Sequence, residues 1–226
     1  MASEGNRPTP ASIRWLVSDI PTIDIVSDVI CPWCFIGLRR LEAALGEEGL
    51  ESAPIRFHPF QLDPSTPAEG ADLRERLAAK FGRDPEPMFA RVEAAARESG
   101  IPLDFSKVRR TPNTLKAHTL IGRALEKGTQ QRVARALFDA YFLEGKDVGT
   151  DEVLVDIAAA HGFDREEATR LFADRAALDE TRAEAAAMSH QGITGVPFTI
   201  VGGKLAVSGA QPTDVFREVI RRAREA

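Results

Sequence analysis

Several things are scarce in this sequence, and each shortage excludes a class of protein. Two cysteines in 226 residues are too few for a disulfide-stapled scaffold. No apolar run approaches the ~18 residues that would cross a bilayer, so no membrane partner is expected. Basic residues are outnumbered, 29 Lys and Arg against 34 Asp and Glu, for a net charge of −5. That balance argues against nucleic acid as a partner. Met1 to Pro10 lack a basic start followed by an apolar stretch, so they do not read as a secretory signal. For a complete chain the expected location is cytoplasmic, where thiols are normally kept reduced. Two cysteines with two residues between them are then a redox or metal candidate.

What is present is enough for a real core: 43% of residues are apolar and 28% charged. Residues 1–20 read as a loosely ordered N-terminal extension, with Ile13–Val17 as its one short apolar run. Thr22–Asp28 alternates, with Ile23 and Ile25 on one face and Asp24 and Val26 on the other, which is a strand pattern. Pro32 suits the first position of a helix. Cys34, Leu38, Leu41 and Leu45 then form one helical stripe that ends near Gly46 and Gly49. Ile55–Leu62 is a second strand, with Pro59 bending its later half.

From Asp63 the texture changes. Pro64, Pro67 and Gly70 mark a linker, and helical patterns with little strand signal follow to about Gln191. They cover Asp72–Phe81, Pro87–Glu98, Pro112–Lys127, Gln130–Leu143, Glu152–His161, a helix capped by Asp164 with Glu167, and Arg175–His190. After Gly192, Phe198–Val201 and Lys204–Val207 read as a hairpin turning at Gly202-Gly203. Pro212 starts a last helix with Val215, Phe216, Val219 and Ile220 inward. The expected fold class is α/β: a thioredoxin-like core (βαβ…ββα) interrupted by a large all-helical insertion. Residues 21–64 and 191–226 form the core, and 65–190 the inserted domain.

The chemistry concentrates in Cys31-Pro32-Trp33-Cys34. Cys31 falls at the helix start, where unpaired N–H groups and the helix dipole favour a thiolate. Cys34, one turn on, lies on the apolar stripe, where burial disfavours its charge. Cys31 is therefore the expected nucleophile and Cys34 the resolving thiol, with Pro32 and Trp33 tuning the pair. No tightly bound cofactor is expected beyond a redox-active Cys31–Cys34 disulfide. No metal is expected either. Zinc wants four ligands, and His58, His118, His161 and His190 are scattered. His118 is more simply a buried, hydrogen-bonded residue and Asn113 a turn or cap. A place in the active-site groove is the alternative for both.

The segments Asp24–Cys34 with Gly37, Phe60-Gln61-Leu62, Arg110-Thr111-Pro112-Asn113 with His118, Gly192–Pro197 and Ser208–Pro212 together resemble the DsbA-like oxidoreductases, in particular the FrnE-type branch. The resemblance spans about residues 22–226. It implies a cis-proline at Pro197 facing the reactive cysteine, with Thr194, Gly195, Val196 and Pro197 forming the substrate-binding loop. Two departures stand out: Trp33 replaces the usual histidine of secreted members, and no further cysteine pair is present. The implied partners are protein or small-molecule thiols and disulfides, with glutathione an open candidate as co-substrate. Related isomerases and glutathione transferases share the architecture but use a serine at the first motif position. The competing reading is thus a glutathione-dependent isomerase or transferase on a small aromatic or polyketide-like substrate. Two retained cysteines favour redox chemistry. Oligomeric state is not readable.

Overall fold

The computed structural model describes residues 20–225, so the expectation for the N-terminal extension lies largely outside the described residues. Strand β1 (Ile23–Ser27) is followed by helix α1 (Pro32–Glu47) and strand β2 (Ile55–Pro59). Then come β3 (Ala71–Asp72), α2 (Leu73–Phe81), α3 (Glu86–Glu98), β4 (Arg110–Thr111), α4 (Leu115–Glu126), α5 (Gln130–Phe142), α6 (Asp151–Ala160), α7 (Arg165–Ala173) and α8 (Arg175–His190). The chain closes with β5 (Phe198–Val201), β6 (Leu205–Ser208) and α9 (Thr213–Glu225). The class is α/β as expected, with the helical block between β2 and β5.

The main sheet has the order β2-β1-β5-β6, with β1 parallel to β2 and the other pairs antiparallel. Alternation along β1 sends Ile23 and Ile25 into the large core with α1, while Val26 joins Phe60 and Ile193 in a small cluster on the other face. Helix α9 packs on α1 through Phe216 and Ile220. Val215, expected inward, is 39% exposed, because the buried stripe of α9 is narrower than its apolar count suggests. The helical block also holds a short ladder that sequence periodicity does not reveal: Ala71 and Asp72 pair with Thr111 and Arg110. Two-residue strands are too short to show alternation. Helix α4 starts later than Pro112, at Leu115 behind Thr114.

Two devices join the block to the sheet. Phe35 of α1 packs against both Phe138 and Phe142 of α5, with ring centroids 5.4 and 5.8 Å away. At the sheet edge, the Gln130 side chain behaves like a further strand. Its Oε1 accepts from Phe57 N (3.0 Å) and its Nε2 donates to Phe57 O (3.2 Å). The edge β2 is thereby covered where it would otherwise expose backbone groups. On the other face, His58 bridges Asp24 (Nε2 to Oδ1, 2.8 Å) and Glu184 of α8 (Nδ1 to Oε1, 3.3 Å).

Two predictions follow from this packing. Phe138→Ala removes one of the three mutually packed rings and is expected to cost about 3–5 kcal/mol in urea unfolding; a loss below about 1 kcal/mol would contradict the role of the cluster. The Glu184 carboxylate, joined by Asp24, outweighs partial burial and raises the pKa of His58 above its ordinary value. A raised folded-state pKa adds stability below the unfolded value of about 6.5, lost as pH rises through the folded value. Unfolding free energy should therefore fall more steeply between about pH 6 and 8 in the wild type than in His58→Gln. Equal slopes would mean the bridge carries no linked proton.

Candidate active site

The geometry begins where β1 ends. Asp28 lies just beyond Ser27, and its backbone carbonyl accepts from Cys31 N (3.0 Å), turning the chain into the helix. Cys31 is the N-cap of α1, and Pro32 occupies the first turn. The Cys31 carbonyl accepts from Cys34 N (3.0 Å) and Phe35 N (3.3 Å). Both cysteines are free thiols. The pair therefore sits at a helix N-terminus, where backbone dipoles favour negative charge.

Burial extends further than the sequence suggests. Cys34 is buried as its place on the apolar stripe implies (2% exposed), but Cys31 is only 3% exposed as well. The cause is the helical block. Leu73, Leu77 and Phe81 of α2, with Met88, Phe89 and Val92 of α3, wall a cavity of about 250 Å³ that Cys31, Pro32 and Trp33 complete. For Cys34, burial pushes the thiol pKa well up, reinforced by its hydrogen bond with Cys31 and that neighbour's charge.

The chain from 194 to 197 closes the site. The Val196–Pro197 peptide bond is cis. The Cys31 thiol donates to the Val196 carbonyl (3.6 Å), and Val196 lines the cavity. Pro197 is buried, whereas Thr194 and Gly195 are exposed and do not line the cavity. Asn113 is also away from it. Its Oδ1 accepts from Leu115 N (3.1 Å), and its Nδ2 donates to Thr66 O (2.7 Å), which is a turn role. His118 is buried, and its Nε2 lies 3.2 Å from Asp28 Oδ1.

Three further residues shape the site: Asp28 and Gly37, which entered the sequence reading only within the strand pattern and the family resemblance and with no role assigned, and Arg40, which did not enter it. Asp28 has no solvent exposure, and its second oxygen accepts from Leu62 N (2.8 Å). Its signal was present: an acidic residue three positions before Cys31, in an otherwise apolar stretch. Gly37 faces the proline loop so closely that an added Cβ would lie 3.1 Å from Pro197 Cγ. Arg40, one turn further, donates from Nη1 to Ala210 O (2.8 Å) and from Nε to Ser99 Oγ (2.9 Å), tying α1 to both the C-terminal loop and the end of α3. Gly209 N in turn donates to Pro197 O (2.8 Å). No sequence spacing announces these long-range contacts. Among the described residues no group of three or more His, Cys, Asp or Glu could hold a metal ion, and no helix is long and apolar enough to cross a membrane.

This arrangement can perform dithiol chemistry: two neighbouring free thiols, of which burial disfavours the charge on Cys34, beside a largely apolar cavity and a backbone carbonyl. Comparison with known proteins agrees. The family model for the DSBA-like thioredoxin domain matches residues 22–221. A probable DsbA oxidoreductase from Streptomyces coelicolor is similar in structure, with a TM-score of 0.81 and 32% identity over 90% of this chain and 89% of that one. The uncharacterised YwbO of Bacillus subtilis is 27% identical over 202 residues, 88% of this chain and 94% of its own. A cytosolic disulfide reductase, DsbM, from Pseudomonas aeruginosa, solved with glutathione, shares the fold at a TM-score of 0.64 and 15% identity, over 91% of this chain and 100% of that one.

The unequal thiols can be tested directly. Iodoacetamide is small enough to enter the cavity that Cys31 lines and should label Cys31 first, leaving Cys34, whose thiol pKa is raised by burial, unlabelled until the pH is well above the ordinary thiol range. Mass spectrometry reads the site, and equal labelling of the two near neutrality would contradict the assignment. Asp28→Ala leaves Leu62 N and His118 without their shared partner and should cost about 3 kcal/mol of stability. Denaturant unfolding within about 0.5 kcal/mol of wild type would show the carboxyl is not needed.

Proposed function

The chain belongs to the DSBA-like thioredoxin-domain family, and from that premise we propose that it is a thiol–disulfide oxidoreductase acting through Cys31 and Cys34. The observation that carries the reading is the reduced pair at the start of α1, with Cys31 opening onto a substrate-sized cavity and Cys34 closed behind it.

Cys31 as thiolate attacks one sulfur of a substrate disulfide. The substrate S–S bond breaks, a mixed disulfide forms on Cys31, and the other substrate sulfur leaves as thiolate. Cys34 then loses its proton and attacks Cys31 Sγ. The Cys31–Cys34 bond forms and the second substrate sulfur leaves. Two electrons pass from the dithiol to the substrate. Asp28 acts on this second thiol in two opposed ways: its backbone hydrogen bond lowers the pKa of Cys34 and its charge raises it. A low-molecular-weight thiol such as glutathione would return the pair to the dithiol, a reading supported by the glutathione seen with DsbM. The proposed direction is substrate reduction or isomerisation in a reducing, cytoplasm-like compartment. Trp33 and Pro32 border the sulfurs and are proposed to tune them, and Val196 to orient the substrate. The isomerase or transferase alternative leaves Cys34 without a task.

The test is a pair of substitutions with turnover and trapping as readouts. Cys31→Ser is expected to abolish disulfide turnover. Cys34→Ser should retain the first attack and accumulate mixed disulfides, because release needs the second thiol. Normal multiple turnover by Cys34→Ser would remove the resolving role and bring the glutathione-dependent isomerase reading forward.

A further inference from the structure

The depth of Cys31 restricts what can reach it. A nucleophile only 3% exposed in the wall of a cavity of about 250 Å³ does not meet the surface of a folded protein. The space exceeds the ~150 Å³ that accommodates a benzene ring and falls near the lower end of ordinary ligand pockets, roughly 300 Å³. One substituted ring fits. The walls suit it: Trp33, Phe81, Phe89, Leu77 and Met88 are apolar, and Phe81 is left 48% exposed at this site. An exposed phenylalanine beside an apolar cavity is a surface that gains from being covered.

A second space of about 510 Å³ adjoins the cavity and shares Trp33, Met88 and Val92 with it. Its outer wall carries Arg83 and Arg91 against a single acidic residue, Asp84, whose Oδ1 accepts from Glu86 N (3.1 Å). Neither arginine makes an ion pair among the described residues, whereas Arg74 pairs with Glu86 and Arg76 with Asp63. In a chain of net charge −5, two guanidinium groups with no ion pair among the described residues, lining a space next to that of the reactive cysteine, mark a place for an anion.

We propose that the substrate at this site is a low-molecular-weight disulfide with an aromatic arm lodged between Trp33 and Phe89 and a carboxylate-bearing arm that leaves past Trp33 toward Arg83 and Arg91. The proposal rests on the dithiol reading above and names its substrate class. One thiolate leaves on attack by Cys31 and the other on attack by Cys34, so a single turnover consumes only the dithiol.

Pre-reduced protein is mixed with excess disulfide, and thiolate release is followed in a single turnover. The probes are dithiobis(nitrobenzoate), aromatic and anionic; dithiodipyridine, aromatic and neutral; oxidised glutathione, anionic without a ring; and insulin, a protein disulfide. Each rate constant is divided by that of the same disulfide with a free thiol. The expected order places dithiobis(nitrobenzoate) first, favoured over dithiodipyridine by about tenfold at low salt, with that ratio shrinking as salt is added. The double variant Arg83→Gln with Arg91→Gln should collapse the ratio toward one, whereas Lys replacements at both positions should keep most of it. A ratio unchanged by the Gln pair overturns the anionic arm. Faster reaction of oxidised glutathione or insulin overturns the aromatic arm while leaving the dithiol mechanism intact. If no probe reacts although iodoacetamide still labels Cys31, the dithiol reading itself falls, and this proposal with it.

Discussion

Asp28 holds a carboxyl group with no access to solvent, and a group of that kind persists in a core only when its oxygens are occupied. One oxygen takes the Leu62 N–H, just past β2; the other faces His118 on α4. Its own backbone carbonyl takes the Cys31 N–H. A single residue thus joins the end of β1, the exit of β2, the helical block and the first residue of the motif. The rest of the site depends on this knot, because the position of Cys31 at the start of α1 is set by the turn that Asp28 makes.

The second constraint is closeness. Gly37 lets the proline loop approach α1 to a distance that a methyl group would contest, and Arg40 fastens the neighbouring Ala210 carbonyl to the same helix. The Val196 carbonyl consequently stands over Cys31. Because Arg40 also reaches Ser99 at the end of α3, the helix that walls the cavity and the loop that closes it are referred to one side chain. Packed interiors transmit small shifts, so these distant contacts bear on the geometry at the sulfur.

Much of this was legible in the chain. Alternation at Ile23, Ile25 and Val26 placed β1 and its two faces, and the stripe from Cys34 to Leu45 placed α1 with the correct side inward. Asp164 and Glu167 announced their capping box, and both halves of it form. These features are local, with periods of two or 3.6 residues that a sequence displays openly. The β3–β4 ladder was invisible because two-residue strands have no period, and Val215 was misplaced because composition does not say how wide a buried stripe is. The roles of Asp28, Gly37 and Arg40 were hidden for a different reason: each is defined by a partner far away in the chain.

The sequence by itself determined the α/β class, the interruption by helices, and the placing of the two cysteines at the start of α1, since all of these rest on short-range pattern and residue chemistry. Only the tertiary structure decided how deep Cys31 lies, because its cover comes from α2 and α3, more than forty residues downstream. It also decided that Asn113 serves a turn, that His118 faces Asp28, and that Arg83 and Arg91 line a space adjoining the cavity at Trp33. Depth, enclosure and charge around a sulfur are properties of what folds over it, and a linear pattern carries no record of which segment that will be.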